Sequence, residues 1–210
     1  MNKYILETEL AEPLQQKIID CVRRHKFSNW SSYTRIQEGA DTATESPLID
    51  RGRRHSYVFL YPEISNEVHE FSNSVIDSLK LDTEFIRPIP DVKIDDMQFL
   101  PHMISVVYKE KKKSIGIYPH VDNRSADGWY HLRFNFLVSS AEGGDPVVES
   151  TVLDVKEKQG WICFASEWNH GTLPVTNDEY RIALSLGYFI EPEYARKTFK
   201  NLLTNLNNNV

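Results

Sequence analysis

From about Met97 to Ile190 the chain is a succession of short alternating or β-branched runs with no helix-length segment between them. The runs cover 103–108, 114–122, 129–138, 146–155, 160–165 and 180–190. Turn-forming stretches separate them: a lysine-rich 109–113, then 123–128, Gly143-Gly144-Asp145, 156–160 and 176–179. Parallel strands need long crossovers, and none is present here. The remaining solution is antiparallel, a sandwich or an open barrel.

Three amphipathic segments frame this region. Residues 11–25 place Leu14, Ile18, Ile19 and Val22 on one helical face, with Pro13 in the first turn. Residues 64–80 align Val68, Phe71, Val75, Ile76 and Leu79, with Ser65 as a cap. Residues 192–206 align Ala195, Phe199, Leu202, Leu203 and Leu206. The expected organisation is one α+β domain over 1–210: a helical support region (1–96), a jelly-roll core (97–190), and a C-terminal helix and tail (191–210). The helices are expected to brace one sheet from outside. Residues 39–47 look like a loop and 56–61 like an extra strand.

Charge and composition exclude several classes. A net charge of −6 provides no electrostatic footprint for duplex nucleic acid. No apolar run reaches the length of a bilayer span, so no membrane association is expected. Two cysteines, Cys21 and Cys163, at no motif spacing argue against a disulfide scaffold or a cysteine-rich zinc site. Together with an N-terminus that meets acidic residues at once, they suit a cytoplasmic protein.

The residues that carry chemistry are His120, Asp122 and His170. Side chains at i and i+2 of a strand share a face, so His120-Val121-Asp122 sets an imidazole beside a carboxylate. A third ligand from another strand would complete a two-His, one-carboxylate triad, which suits non-haem Fe(II) and leaves three coordination positions open. The pair alone is a common tripeptide, and a strand-end histidine is its ordinary explanation. His170, in Trp168-Asn169-His170-Gly171, and Arg181, opening the run 180–190, supply the context.

With those residues in order, about 100–190 resembles the double-stranded β-helix core of the Fe(II)- and 2-oxoglutarate-dependent oxygenases, most closely the prolyl 4-hydroxylase-like branch. The matching elements are Tyr108, the loop 109–113, His120-Val121-Asp122, Gly143-Gly144, His170 and Arg181. The run Pro119-His120-Val121-Asp122-Asn123 is similar to the metal-site segment of the oxygen-sensing prolyl hydroxylases. The resemblance implies a dioxygenase that uses Fe(II), 2-oxoglutarate and O2. It would hydroxylate an unactivated C–H of a prolyl or other amino-acid residue, or of a free amino acid, releasing succinate and CO2. His120, Asp122 and His170 would hold the metal, and Arg181 the far carboxylate of 2-oxoglutarate, which a guanidinium fork suits. Many relatives carry Ser two residues after this arginine; here Ala183 stands there, so a second contact must come from elsewhere.

Tyr108, Arg133 and Asn135 are the candidates for that contact. His131, Arg133 and Asn135 alternate with Leu132, Phe134 and Phe136, so one strand face is polar and the other apolar. The polar face looks into the barrel or into solvent. Related aspartyl/asparaginyl hydroxylases carry a similar arginine near the cosubstrate, which favours the interior. Tyr118 and Trp168 are candidate substrate contacts, each with core packing as its alternative. The lysines of 109–113 could attract an anionic substrate, but a solvated hairpin loop is the plainer reading. Arg51-Gly52-Arg53-Arg54-His55 reads as a surface turn, and Cys163 as a small core residue. The expected partner is a small-molecule or peptide substrate, with the chain a monomer or homodimer. Two alternatives stay open: a non-catalytic cupin-like module binding a metal or ligand, and a nucleic-acid demethylase, which the charge disfavours.

Overall fold

In a computed structural model the described residues are 3–24, 56–59, 62–90, 92–94, 97–99, 101–108, 116–117 and 119–204. Their elements are β1 (Ile5–Glu9), α1 (Glu12–Arg24), β2 (Ser56–Phe59), α2 (Ser65–Ser78), β3 (Ile86–Pro88), β4 (Val92–Ile94), β5 (Met97–Phe99) and β6 (His102–Tyr108). There follow β7 (Tyr130–Ser139), β8 (Pro146–Val148), β9 (Thr151–Val152), β10 (Gln159–Phe164), β11 (His170–Thr172), β12 (Tyr180–Ile190) and α3 (Pro192–Thr198).

The strand pairing is antiparallel throughout. A large sheet runs β1-β10-β7-β12-β6-β2, with β3 also paired to β12. A smaller sheet runs β11-β8-β9 and is extended by a bridge between His120 and His170. From β6 onward the chain passes from large sheet to small and back: β6, the His120 segment, β7, β8 and β9, β10, β11, β12. That alternation between two facing sheets is a double-stranded β-helix, or jelly roll. The hairpin β4-β5 lies apart from both sheets.

The large sheet has two chemically distinct faces. Directly paired residues point the same way, so register sorts the side chains. On one face lie Leu132, Phe134 and Phe136 of β7 with Leu184, Leu186 and Tyr188 of β12, all buried. The helices cover this face: Phe71 meets Phe136 edge-on at 4.9 Å, and Ser72 hydrogen-bonds Tyr188. Leu14, Ile18, Cys21 and Val22 of α1 and Val68, Val75 and Ile76 of α2 join the same core. The other face carries His131, Arg133 and Asn135 of β7, and Arg181, Ala183, Ser185 and Gly187 of β12. It looks toward the small sheet, so the helices brace the large sheet from outside and leave the polar face to the barrel interior.

Several expectations are corrected. The last helix ends at Thr198 rather than near 206, because Phe199 leaves helical geometry (φ −108, ψ 36). The turn that follows lets Phe199 pack on Phe164 at 5.4 Å and buries Leu203. The run 146–155 is a hairpin of two short strands around Glu149-Ser150. The N-terminal residues form an edge strand, β1, which the helical reading of 1–96 did not include. Ser114, Ile115 and Tyr118, all of 31–55 and the loop 109–113 lie outside the described residues. Among the described residues, no helix is long and apolar enough to cross a membrane.

Candidate metal centre

The small sheet brings two imidazoles together. His120 N–H donates to His170 O at 3.0 Å, and His170 N–H donates to His120 O at 2.9 Å. Such a reciprocal pair directs both side chains to one side, and the ring centroids stand 4.3 Å apart. Gly171 permits the approach, since a Cβ there would sit 2.5 Å from Ile117 O. Asp122 leaves the small sheet and donates its N–H to Ala165 O at 2.8 Å, beside the end of β10.

Its carboxylate then faces both rings. Asp122 Oδ1 is 3.5 Å from His120 Nε2, and Oδ2 is 3.9 Å from His170 Nε2. One ligand atom from each of the three residues lies within 4.8 Å of the others, close enough for a single ion to reach all three. The set is one carboxylate oxygen and two imidazole nitrogens, the donor chemistry of non-haem Fe(II). His170 Nδ1 lies 3.0 Å from Trp168 O, which can only accept; the Nδ1 proton points there and Nε2 keeps its lone pair for a metal. Burial first, then the neighbouring His120, lower the His170 pKa to about 4. Burial pushes the Asp122 carboxyl up, but the hydrogen bond from His120 and the nearby His131 and His170 outweigh it. The carboxyl is held well below the usual carboxylate range. A neutral His170 imidazole beside an ionised Asp122 carboxylate suits a divalent cation.

Beneath Asp122 stand two residues of β7. His131 Nδ1 is 3.3 Å from Asp122 Oδ2, and Arg133 Nε donates to His131 Nε2 at 2.7 Å. Burial and the adjacent Arg133 lower the His131 pKa to about 3. Arg133 Nη1 donates to Pro101 O at 3.3 Å.

Arg181 occupies the far end of the same sheet face. It is 3% exposed, its Nε and Nη2 have no hydrogen-bond partner, and its guanidinium lies 5.5 Å from the Trp161 ring centre. Burial lowers its pKa to about 10. A buried guanidinium with unmet donors is a strong demand for an anion. Ser105, which the sequence reading did not single out, stands across the ladder from Ala183. It pairs directly with Ala183 on this face, and its buried Oγ also has no partner. Its only sequence signal is a lone hydroxyl inside the apolar run of β6.

The structure separates the sequence-predicted residues. His120, Asp122 and His170 come together, and Arg133 and Asn135 lie on the interior face with Arg181. Arg133, however, pairs with Gly187, six positions along β12 from Arg181. That is roughly 20 Å of strand, so Arg133 stands at the end of the barrel where His120, Asp122 and His170 cluster. Tyr108 pairs with Tyr180, one register step from Arg181 and hence on the opposite face, with the two rings 5.7 Å apart. It is not brought to the cluster. Trp168 is 1% exposed and packed edge-on against Tyr4 and Phe164, so it is a core aromatic rather than a substrate contact. Tyr118 lies outside the described residues.

No family model matches the sequence, and no curated relative does. Solved structures do resemble the fold. The viral collagen prolyl hydroxylase of Paramecium Bursaria Chlorella virus-1 superposes with a TM-score of 0.51 at 11% identity, covering 89% of each chain. A Pseudomonas putida prolyl-4-hydroxylase gives 0.48 at 14% identity, over 89% of this chain and 91% of that one. HygX from Streptomyces hygroscopicus, solved with nickel, 2-oxoglutarate and hygromycin B, gives 0.47 at 9% identity, over 75% and 78%. The fold is therefore a double-stranded β-helix similar to that of the viral prolyl hydroxylase, on the strand topology and that superposition. The sequence resemblance holds at that level.

Proposed function

We propose that this protein is an Fe(II)- and 2-oxoglutarate-dependent dioxygenase. It hydroxylates an unactivated C–H of a prolyl or other amino-acid residue, or of a free amino acid, and releases succinate and CO2. One observation carries the reading. A His-Asp-His cluster and a buried guanidinium with unmet donors share the interior of one jelly roll. The first suits a divalent iron, and the second suits the remote carboxylate of a diacid.

The chain's own residues divide the work. His120, Asp122 and His170 hold one face of the ion. Arg181 receives the far carboxylate, and Ser105 Oγ donates a second hydrogen bond from across the ladder. Ala183 and Ser185 keep the wall between them low, so a short diacid can lie along β12. Asn135, on the same face beside Ser185, lines the route toward the metal end. The apolar opposite face and its helices seal the sheet against water, which strengthens each charge–dipole contact inside. When bound, the iron and the 2-oxo acid supply the oxidising chemistry with O2; the protein supplies position and exclusion of solvent.

Anaerobic titration of 2-oxoglutarate into the Fe(II)-loaded protein is the test. A visible charge-transfer band is expected, followed by succinate formation when O2 is admitted. Asp122→Ala should lose stoichiometric Fe(II) and the band while keeping the wild-type circular dichroism. A wild-type protein that holds the metal yet binds no 2-oxoglutarate would be a cupin-like binding module instead.

A further inference from the structure

We propose that Arg133 and His131 form a buried clamp that fixes the direction of the Asp122 carboxylate. The clamp rests on the metal reading above and adds two positioning residues to it. A guanidinium only donates hydrogen bonds. Arg133 Nε donates to His131 Nε2 at 2.7 Å, so Nε2 must present its lone pair. The ring proton therefore sits on Nδ1, which stands 3.3 Å from Asp122 Oδ2 and within reach of it. The tautomer of His131 is thus set by Arg133, and the orientation of Asp122 by His131.

Arg133 is itself built into place. Gly187, its partner on β12, has no side chain because a Cβ would lie 2.5 Å from Arg133 Nη1 and 2.5 Å from Pro101 O. Pro101 O accepts both Arg133 Nη1 at 3.3 Å and the Gly187 N–H at 2.5 Å. Arg133 is 9% exposed, and the histidine it holds is buried as well.

The interposed ring has a chemical purpose. A guanidinium set directly on Asp122 would form a bidentate ion pair and occupy both oxygens. With the imidazole between them, Asp122 receives one neutral N–H on Oδ2, while Oδ1 faces His120 Nε2 at 3.5 Å. The carboxylate keeps its charge, and Oδ1 stays on the side where His120 and a cation would meet it. Hydrogen bonds behind metal ligands of this kind set the ligand's direction and basicity.

Long-range 1H–15N correlation of the histidine rings in the metal-free protein tests the tautomer. His131 should show a protonated Nδ1 and a bare Nε2. Arg133→Met should turn that signal into a mixture or reverse it. Co(II) titration then reads the consequence. His131→Leu should weaken Co(II) binding about 10- to 100-fold, the usual range for such partners. His131→Asn keeps an N–H near the Nδ1 position and should recover most of that loss. Thermal unfolding of each metal-free variant identifies any that fail to fold, and the wild-type ring spectrum stands without them. A protonated Nε2 in the wild type, or wild-type Co(II) affinity in folded His131→Leu, overturns the clamp. Failure of the wild type to bind Co(II) overturns the metal reading instead, and the ring spectrum still decides the clamp.

Discussion

Replacing Arg181 by methionine should make the ligand-free protein more stable while removing its response to 2-oxoglutarate. Burial brings the guanidinium pKa from 12.5 to about 10. At about 1.4 kcal/mol per unit, keeping the charge inside costs about 3 kcal/mol relative to water. The Trp161 face, 5.5 Å away, offsets about 1 kcal/mol of that. The net penalty is then about 2 kcal/mol, in keeping with the gain seen when buried charges are replaced by apolar residues. Methionine retains the Cβ and Cγ atoms, which would lie 3.4 and 3.3 Å from a Cβ placed at Gly144, and leaves no orphaned donors.

For a chain of this size, about 2 kcal/mol corresponds to roughly 4–8 °C in Tm. Scanning calorimetry of metal-free wild type and Arg181→Met should show the variant higher by that amount. With Mn(II) present throughout, 2-oxoglutarate at a hundredfold excess over its Kd should add about 2.7 kcal/mol to the wild type. The variant should gain nothing from 2-oxoglutarate. A variant less stable than the wild type without ligand would refute the argument, because it would mean the guanidinium is already satisfied in the folded chain.

Two further outcomes follow from backbone strain and from a buried imidazole. Glu149 and Ser150 both carry positive φ (48 and 67) in the turn between β8 and β9, so Ser150→Gly should raise urea-unfolding stability by about 1 kcal/mol. His102 is 1% exposed, and burial, then the neighbouring His69, lower its pKa from 6.5 to about 4. The unfolded chain therefore binds the proton first, and stability that is complete above 6.5 falls as pH drops toward 4. His102→Leu should remove about one proton from the slope of stability against pH in that window, and an unchanged slope would contradict it.

The fold was legible because strand alternation is written directly in residue order. Ile182, Leu184, Leu186 and Tyr188 alternate with Arg181, Ala183, Ser185 and Gly187, and the two faces fall where that pattern puts them. The His-Asp-His cluster was legible only in part for that reason: His120 and Asp122 stand two residues apart, but Asp122 leaves the small sheet before its carboxylate faces both rings. What local pattern could not supply was pairing across strands. Tyr108 and Arg181 look equally suitable as polar or aromatic residues at strand ends, yet register places them on opposite faces. Ser105 faces Ala183 only because β6 pairs with β12 in that register, so its role is invisible until the sheet is assembled. Trp168 sits two residues before His170 and looks like a pocket residue, but the turn after β10 drives its ring between Tyr4 and Phe164. The third helix was overread because Leu202 and Leu203 continue a helical period, although a turn buries Leu203 as well.

The distribution of buried polarity bears on whether the barrel interior is a site or merely a core. Among the described residues the buried polar side chains are Ser72, His102, Ser105, His131, Arg133, Arg181 and Ser185. Five of these seven, all but Ser72 and His102, lie on the interior face of the large sheet. The opposite face of the same strands is aromatic and aliphatic, so the backbone places no restriction on filling both sides that way. Each buried cation or unpaired hydroxyl lowers stability relative to a well-packed apolar residue. Such a cost, gathered on one face and converging on Asp122 at one end and on unmet Arg181 donors at the other, is the mark of a face arranged for ligands rather than for packing. A core shaped only for stability would have placed aliphatic residues where Arg133 and Arg181 stand, as it did one residue away at Phe134 and Ile182.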